Sequence, residues 1–121
     1  SDCYIGNGDG CLLEDSFYKH NNTHFGRWHN LLLNNGYLGC CMAFRRQILD
    51  KILPFPKDIP MHDIWIGNVA AFKYSAYFIP EKLIMYRRHG KNASTASEKS
   101  KSSIWDKIMF RVIIMKRLLL R

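Results

Sequence analysis

The sequence predicts a mixed α/β fold, in which short strands and helices pack in layers around one core. Three observations lead there. Apolar residues recur at helical spacing in some stretches and form short, turn-bounded runs in others. Gly, Asn and Pro clusters punctuate the chain between those stretches. The 121 residues are 47% hydrophobic and 13% aromatic, which excludes a disordered chain. A chain of this length buries roughly two-thirds of its unfolded surface, enough for a single core.

The elements follow in order. Cys3 to Ile5 and Cys11 to Leu13 flank Gly6-Asn7-Gly8-Asp9-Gly10, which predicts two short strands joined by a tight turn. Phe25, Trp28, Leu31 and Leu32 have helical spacing, and Asn34-Asn35-Gly36 ends that helix. Tyr37 to Phe44 is a short apolar run with small residues, read as a buried strand. Arg45 to Leu53 predicts a short helix stopped by Pro54-Phe55-Pro56, and three prolines stiffen the loop from Pro54 to Pro60. Asp63 to Tyr74 reads as a helix whose packing side carries Ile64, Gly67, Val69, Ala70 and Ala71. Ala76 to Ile79, ended by Pro80, and Lys82 to Arg88 are the last strand candidates. Residues 90–103 are rich in Ser, Lys and Asn, a linker composition, and Ile104 to Leu120 is a final helix.

The formal net charge of +8 first suggests a nucleic-acid binder. Its distribution does not. Residues 99–121 hold Lys99, Lys101, Lys107, Arg111, Lys116, Arg117 and Arg121 against Asp106, a net of +6. The first 98 residues are nearly balanced at +2, and their basic residues are not interleaved with aromatics. No nucleic-acid partner is expected. On a helical wheel Ile104, Trp105, Ile108, Met109, Val112, Met115 and Leu119 cluster on one side, with Lys107, Arg111, Arg117 and Arg121 opposite. Ile114, Lys116 and Leu118 break the pattern. Such a helix suits either an anionic membrane interface or packing on its own domain or a subunit.

The four cysteines, Cys3, Cys11, Cys40 and Cys41, contain no C-x-x-C pair, so zinc-ribbon spacing is absent. No basic start followed by an apolar stretch marks a secretory signal, and no run of about 18 apolar residues marks a membrane span. The expectation is four reduced thiols in a cytoplasmic protein, peripheral on the inner membrane if the last helix docks there. The sequons at Asn21 and Asn92 matter only in a secretory lumen. Because the chain starts at Ser1 without an initiator Met, it is expected to be a piece of a longer polypeptide.

Two segments carry candidate chemistry. Met61-His62-Asp63-Ile64-Trp65-Ile66-Gly67 places a His-Asp pair at a helix start after the proline loop. Asp63 there can cap free backbone N–H groups or serve as a general base at the mouth of a pocket. Trp65 can stack on a sugar ring or fill the core. Met85-Tyr86-Arg87-Arg88-His89-Gly90-Lys91-Asn92 places two arginines and a histidine after a strand. Arginine forks suit phosphate oxygens and a neutral imidazole suits a divalent cation, although a solvated basic turn accounts for the same residues.

The order Gly39-Cys40-Cys41-Met42-Ala43-Phe44-Arg45-Arg46, Pro54-Phe55-Pro56, His62-Asp63-Ile64-Trp65-Ile66-Gly67 and Tyr86-Arg87-Arg88-His89-Gly90-Lys91-Asn92 resembles the C-terminal part of family 2 glycosyltransferases. It is most similar to bacterial rhamnosyltransferase-like members that build surface polysaccharides. Ser1 to Phe17 looks like the strand-turn-strand that follows the D-x-D segment of those enzymes, and the resemblance covers about residues 1–95.

It implies an α/β fold, the C-terminal half of a GT-A (Rossmann-like) domain, with a short mixed sheet, flanking helices and a C-terminal amphipathic helix. Residues 1–95 would be the acceptor-side part of that domain, 96–103 a linker and 104–121 the basic helix. The implied reaction moves a sugar from a nucleotide-diphosphate donor to a hydroxyl of a saccharide or lipid-linked acceptor, with inversion. Asp63 would be the general base. Gly39, Cys40 and Cys41 would flank the sugar, with His62 and Trp65 on the acceptor side. Arg87 or Arg88 would neutralise the departing diphosphate, and His89 would complete the coordination of a divalent cation, Mg or Mn. The sequence contains no D-x-D, so this polypeptide alone is expected not to transfer sugar. The competing expectation is a non-catalytic module, derived from a glycosyltransferase, that docks on a membrane or partner.

Overall fold

The computed structural model describes residues 1–59, 61–89 and 103–121. Its fold is mixed α/β: a small three-stranded mixed sheet with flanking helices. Strand β1 (Asp2–Gly6) is central, with β2 (Leu12–Glu14) antiparallel on one side and β3 (Lys82–Arg87) parallel on the other. Cys3 faces Ile84 and Gly6 faces Arg87 in the β1–β3 register. The expected Gly-rich turn joins β1 to β2. Asn7 accepts the Cys11 N–H on its side chain at 2.8 Å and donates its own N–H to Cys11 O at 2.8 Å.

The helices are α1 (Phe17–His20), α2 (Arg27–Leu32), α3 (Leu49–Ile52), α4 (His62–Lys73) and α5 (Ile104–Leu119). Short α1 is absent from the sequence reading. Ser16 caps it by accepting the Lys19 N–H at 3.1 Å, and the Ser16 hydroxyl donates to Asp2 Oδ2 at 2.6 Å. The expected helix over Arg45 to Leu53 is split, with a 3₁₀ turn at Arg46–Ile48 leading into α3. The linker 96–103 lies outside the described residues apart from Ser103, the N-cap of α5.

Two expected strands do not form. Tyr37 to Phe44 curls instead into a 3₁₀ turn over Gly39–Cys41, because its N–H groups find one local acceptor and one distant one. The Cys41 N–H donates to Leu38 O at 2.8 Å, and the Gly39 N–H donates to an Asp63 carboxylate oxygen at 3.3 Å. Ala76 to Ile79 only brushes the sheet: Ile79 O accepts the Asp2 N–H at 2.8 Å, and Pro80 has no N–H to continue a ladder.

The core has two parts. Cys3, Ile5, Phe17 and Leu38 are buried against the sheet. Trp65, Ile66 and Val69 of α4 join Leu31, Ile48, Ile52, Ile114 and Leu118 in a larger cluster among the helices. α5 enters that cluster through Ile114 and Leu118, two of the residues that break its wheel pattern. Its basic residues hold the body. Arg117 forks onto Asp58 at 2.8 Å, Arg111 donates to Leu33 O at 2.8 Å, and Arg121 donates to Leu53 O and Pro54 O, each at 2.6 Å. The apolar side of the wheel faces outward, with Trp105 75% exposed and Met109 54% exposed. Among the described residues no helix is long and apolar enough to cross a membrane.

Candidate functional site

α4 starts where the proline loop ends. Its N-cap, Met61, has no side-chain oxygen, so the free N–H groups of the first turn need another acceptor. Asp63 provides one: Oδ1 accepts the Ile64 N–H at 2.8 Å. The other oxygen reaches across 24 residues of sequence to accept the Gly39 N–H at 3.3 Å. A Cβ on Gly39 would lie 3.4 Å from that of Asp63, so the glycine backbone meets the carboxylate with no side chain between them. Asp63 is buried at 8% exposure, whereas His62 beside it is exposed.

The fold therefore brings together Asp63, Gly39, Cys40 and Cys41. All four cysteines of the chain are free. Cys40 Sγ and Cys41 Sγ are 3.8 Å apart. Burial first, then the neighbouring Cys41 and Asp63, push the Cys40 thiol up to about 11. The Cys41 thiol hydrogen-bonds Cys3, which with burial holds it protonated well above the usual thiol range.

Trp65 departs from the substrate-side expectation. It is fully buried at 0% exposure, and its indole Nε1–H donates to Ile52 O at 3.1 Å. No ring face is open to a sugar, so its place is the helix core. Arg87, Arg88 and His89 also stand apart from Asp63. The Ser1 amino group donates to Cys41 O at the start of β1, whereas the Arg88 N–H donates to Gly6 O at its end. The five residues between span roughly 17 Å of strand. The His89 backbone lies beside the β1–β2 turn, where a Cβ on Gly8 would come 3.7 Å from that of His89. Among the described residues no group of three or more His, Cys, Asp or Glu could hold a metal ion.

A cavity of about 810 Å³ adjoins the turn. Cys40, Cys41, Tyr37, Gly67, Tyr77 and Phe78 are among its walls, while Asp63 and Gly39 are not, so the 3₁₀ turn stands between cavity and carboxylate. Tyr37 is buried directly over Gly67, where any side chain would collide with its ring. Burial pushes the Tyr37 phenol up to about 12, and its Oη has no hydrogen-bond partner among the described residues.

The sequence reading missed Tyr37 and the aromatic wall, because an aromatic in an apolar run looks like any core residue. It also missed Asp2, a buried carboxylate that accepts the Cys3 N–H at 2.8 Å, the Tyr18 N–H at 3.0 Å and the Ser16 hydroxyl. No spacing signal links Asp2 to Ser16. Comparisons with protein-family models, with curated proteins and with solved structures returned no match.

Proposed function

We propose that the chain is the acceptor-side part of an inverting, nucleotide-sugar-dependent glycosyltransferase, with Asp63 as its general base. One observation carries the reading beside the sequence resemblance: two motifs quoted for that resemblance, Gly39-Cys40-Cys41 and His62-Asp63, meet at one point through the Gly39–Asp63 hydrogen bond. In this reading the mixed sheet belongs to a GT-A domain. Asp63 takes the proton of the acceptor hydroxyl as that oxygen attacks the anomeric carbon. The bond from that carbon to the diphosphate breaks on the opposite face, and the nucleotide diphosphate leaves with the electron pair. Small residues at Gly39 and Cys40 let a sugar approach the backbone. His62, exposed beside the base, is the acceptor-side contact. Arg87 and Arg88, at the Gly6 end of β1, neutralise the leaving diphosphate. The Mg or Mn ion of such a reaction needs D-x-D ligands that these 121 residues lack.

A second reading has its own observation. Both Asp63 oxygens already accept backbone N–H groups, which suits a clasp without chemistry in a docking module. Asp63→Asn in the longer polypeptide that carries this segment separates the two. Sugar transfer from a panel of nucleotide-diphosphate sugars is expected to fall at least about 100-fold, with the melting temperature held within a few degrees. Transfer at the wild-type rate by a folded Asp63→Asn protein overturns the base assignment.

A further inference from the structure

We infer that the outer face of α5 is a docking surface for an anionic lipid bilayer, with the helix lying in the plane of the interface. This goes beyond the glycosyltransferase reading and does not depend on it. A helix on a globular protein ordinarily buries its apolar stripe and shows its charges to water. α5 buries Ile114 and Leu118 but leaves its longer apolar strip in the open. Arg111, Arg117 and Arg121 are turned to the body, where they hold Leu33 O, Asp58 and the Leu53 and Pro54 carbonyls. Trp105, Ile108, Met109, Val112 and Leu119 are 40% to 82% exposed along a helix of 16 residues, a strip about 24 Å long.

Charge decides among the possible covers of that strip. By helical spacing Lys116 is the ionic residue on the outward side, and it is exposed. The helix's single acid, Asp106, is held in the capping box with Ser103. Trp105, Ile108, Val112, Met115 and Leu119 also have the spacing of a coiled-coil seam. A second copy pairing through the same helix, however, would bring no acid of α5 beyond the capped Asp106 to meet Lys116 and would bring together two chains of +8 each. An anionic bilayer answers both features: the acyl boundary takes Trp105 and the aliphatic side chains, and the headgroups take Lys116 and the chain's net charge.

The test is co-sedimentation of the full chain with vesicles of 7:3 phosphatidylcholine and phosphatidylglycerol, against pure phosphatidylcholine. The chain should bind the mixed vesicles at least about 10-fold more tightly, and binding should weaken in high salt. The double variant Ile108→Gln/Val112→Gln should lose about 10-fold or more of that affinity, with an unchanged circular dichroism spectrum because both residues face outward. Lys116→Glu provides a second variant and should lose several-fold. Equal binding to both vesicle types, binding that neither variant weakens, or no binding overturns the proposal. So does a self-association in ultracentrifugation that the double variant abolishes while vesicle binding persists.

Discussion

Gly67→Ala gives a sharp test of how α4 packs, because two effects of opposite sign meet at one atom. Replacing a mid-helix glycine with alanine favours the helix by about 1 kcal/mol. The new methyl would enter the Tyr37 ring. Tyr37 is 8% exposed and packs on the Phe78 ring with centroids 5.5 Å apart, so the ring can yield only toward the cavity it borders. Overpacking of this kind costs about 1–3 kcal/mol, so the clash offsets or outweighs the propensity gain and the net loss is up to about 2 kcal/mol. In a Tyr37→Leu background the ring is gone and only the propensity term remains. There Gly67→Ala should stabilise by about 0.5–1 kcal/mol, giving a coupling energy of about 2 kcal/mol. Urea unfolding of the four proteins, followed by circular dichroism, measures each corner of the cycle. A Gly67→Ala protein more stable than wild type, or one with the same effect in both backgrounds, refutes the packing described for this helix.

Two further outcomes follow from other parts of the structure. Trp65→Phe leaves the Ile52 carbonyl unpaired and shrinks the central core ring, so it should cost about 2–3 kcal/mol in urea unfolding. Trp28→Phe, at a residue 55% exposed, should stay within about 0.5 kcal/mol; equal costs would remove Trp65 from the core. The raised thiol of Cys40 makes a pH prediction. Its folded value, about 11, lies above the ordinary thiol value, so its contribution to stability is complete below about pH 8.5 and is lost as pH rises toward 11. Both Cys11 and Cys40 are exposed, so alkylation by iodoacetamide at pH 8, located by peptide mass spectrometry, should mark Cys11 before Cys40 through the raised Cys40 thiol, with the Cys40 rate climbing up to pH 11. Cys40 reacting as fast as Cys11 at pH 8 would contradict it.

Much of the fold is legible where local chemistry decides it. The Gly-rich turn between β1 and β2, the strand β3, and the helices α2, α4 and α5 sit within a residue or two of where turn residues and apolar spacing put them. Failures came where a distant partner decides. Tyr37 to Phe44 has strand composition, but the Asp63 carboxylate takes the Gly39 N–H and bends the run into a turn. Nothing within eight residues of sequence could announce that. α1 depends on Ser16, itself held by Asp2 from the neighbouring strand. For α5 the periodicity was readable and the orientation was not. A wheel shows which residues share a side, while the carbonyls of Leu33, Leu53 and Pro54 and the carboxylate of Asp58 decide which side meets the body.

The same long-range contact bears on whether Asp63 can be both clasp and base. A carboxylate offers about four acceptor positions, two on each oxygen. Asp63 uses one on Oδ1, for the Ile64 N–H at 2.8 Å, and one on Oδ2, for the Gly39 N–H at 3.3 Å. Oδ1 is committed to a short bond within the first turn of α4. Oδ2 makes the longer and weaker bond, so it is the oxygen with a position to spare for an acceptor hydroxyl. In the proposed reading Oδ2 would hold the Gly39 N–H and take the proton at separate acceptor positions, while Oδ1 holds the first turn of α4. Asn is the informative replacement on the same grounds. Its one carbonyl oxygen can keep the 2.8 Å bond to Ile64, while its NH₂ replaces the oxygen that would take the proton and, as a donor, cannot accept the Gly39 N–H. Ala removes both bonds and mixes a structural loss with a chemical one. A folded Asp63→Asn protein thus keeps the bond at the start of α4 and lacks both the base and the Gly39 bond, whereas Ala lacks all three.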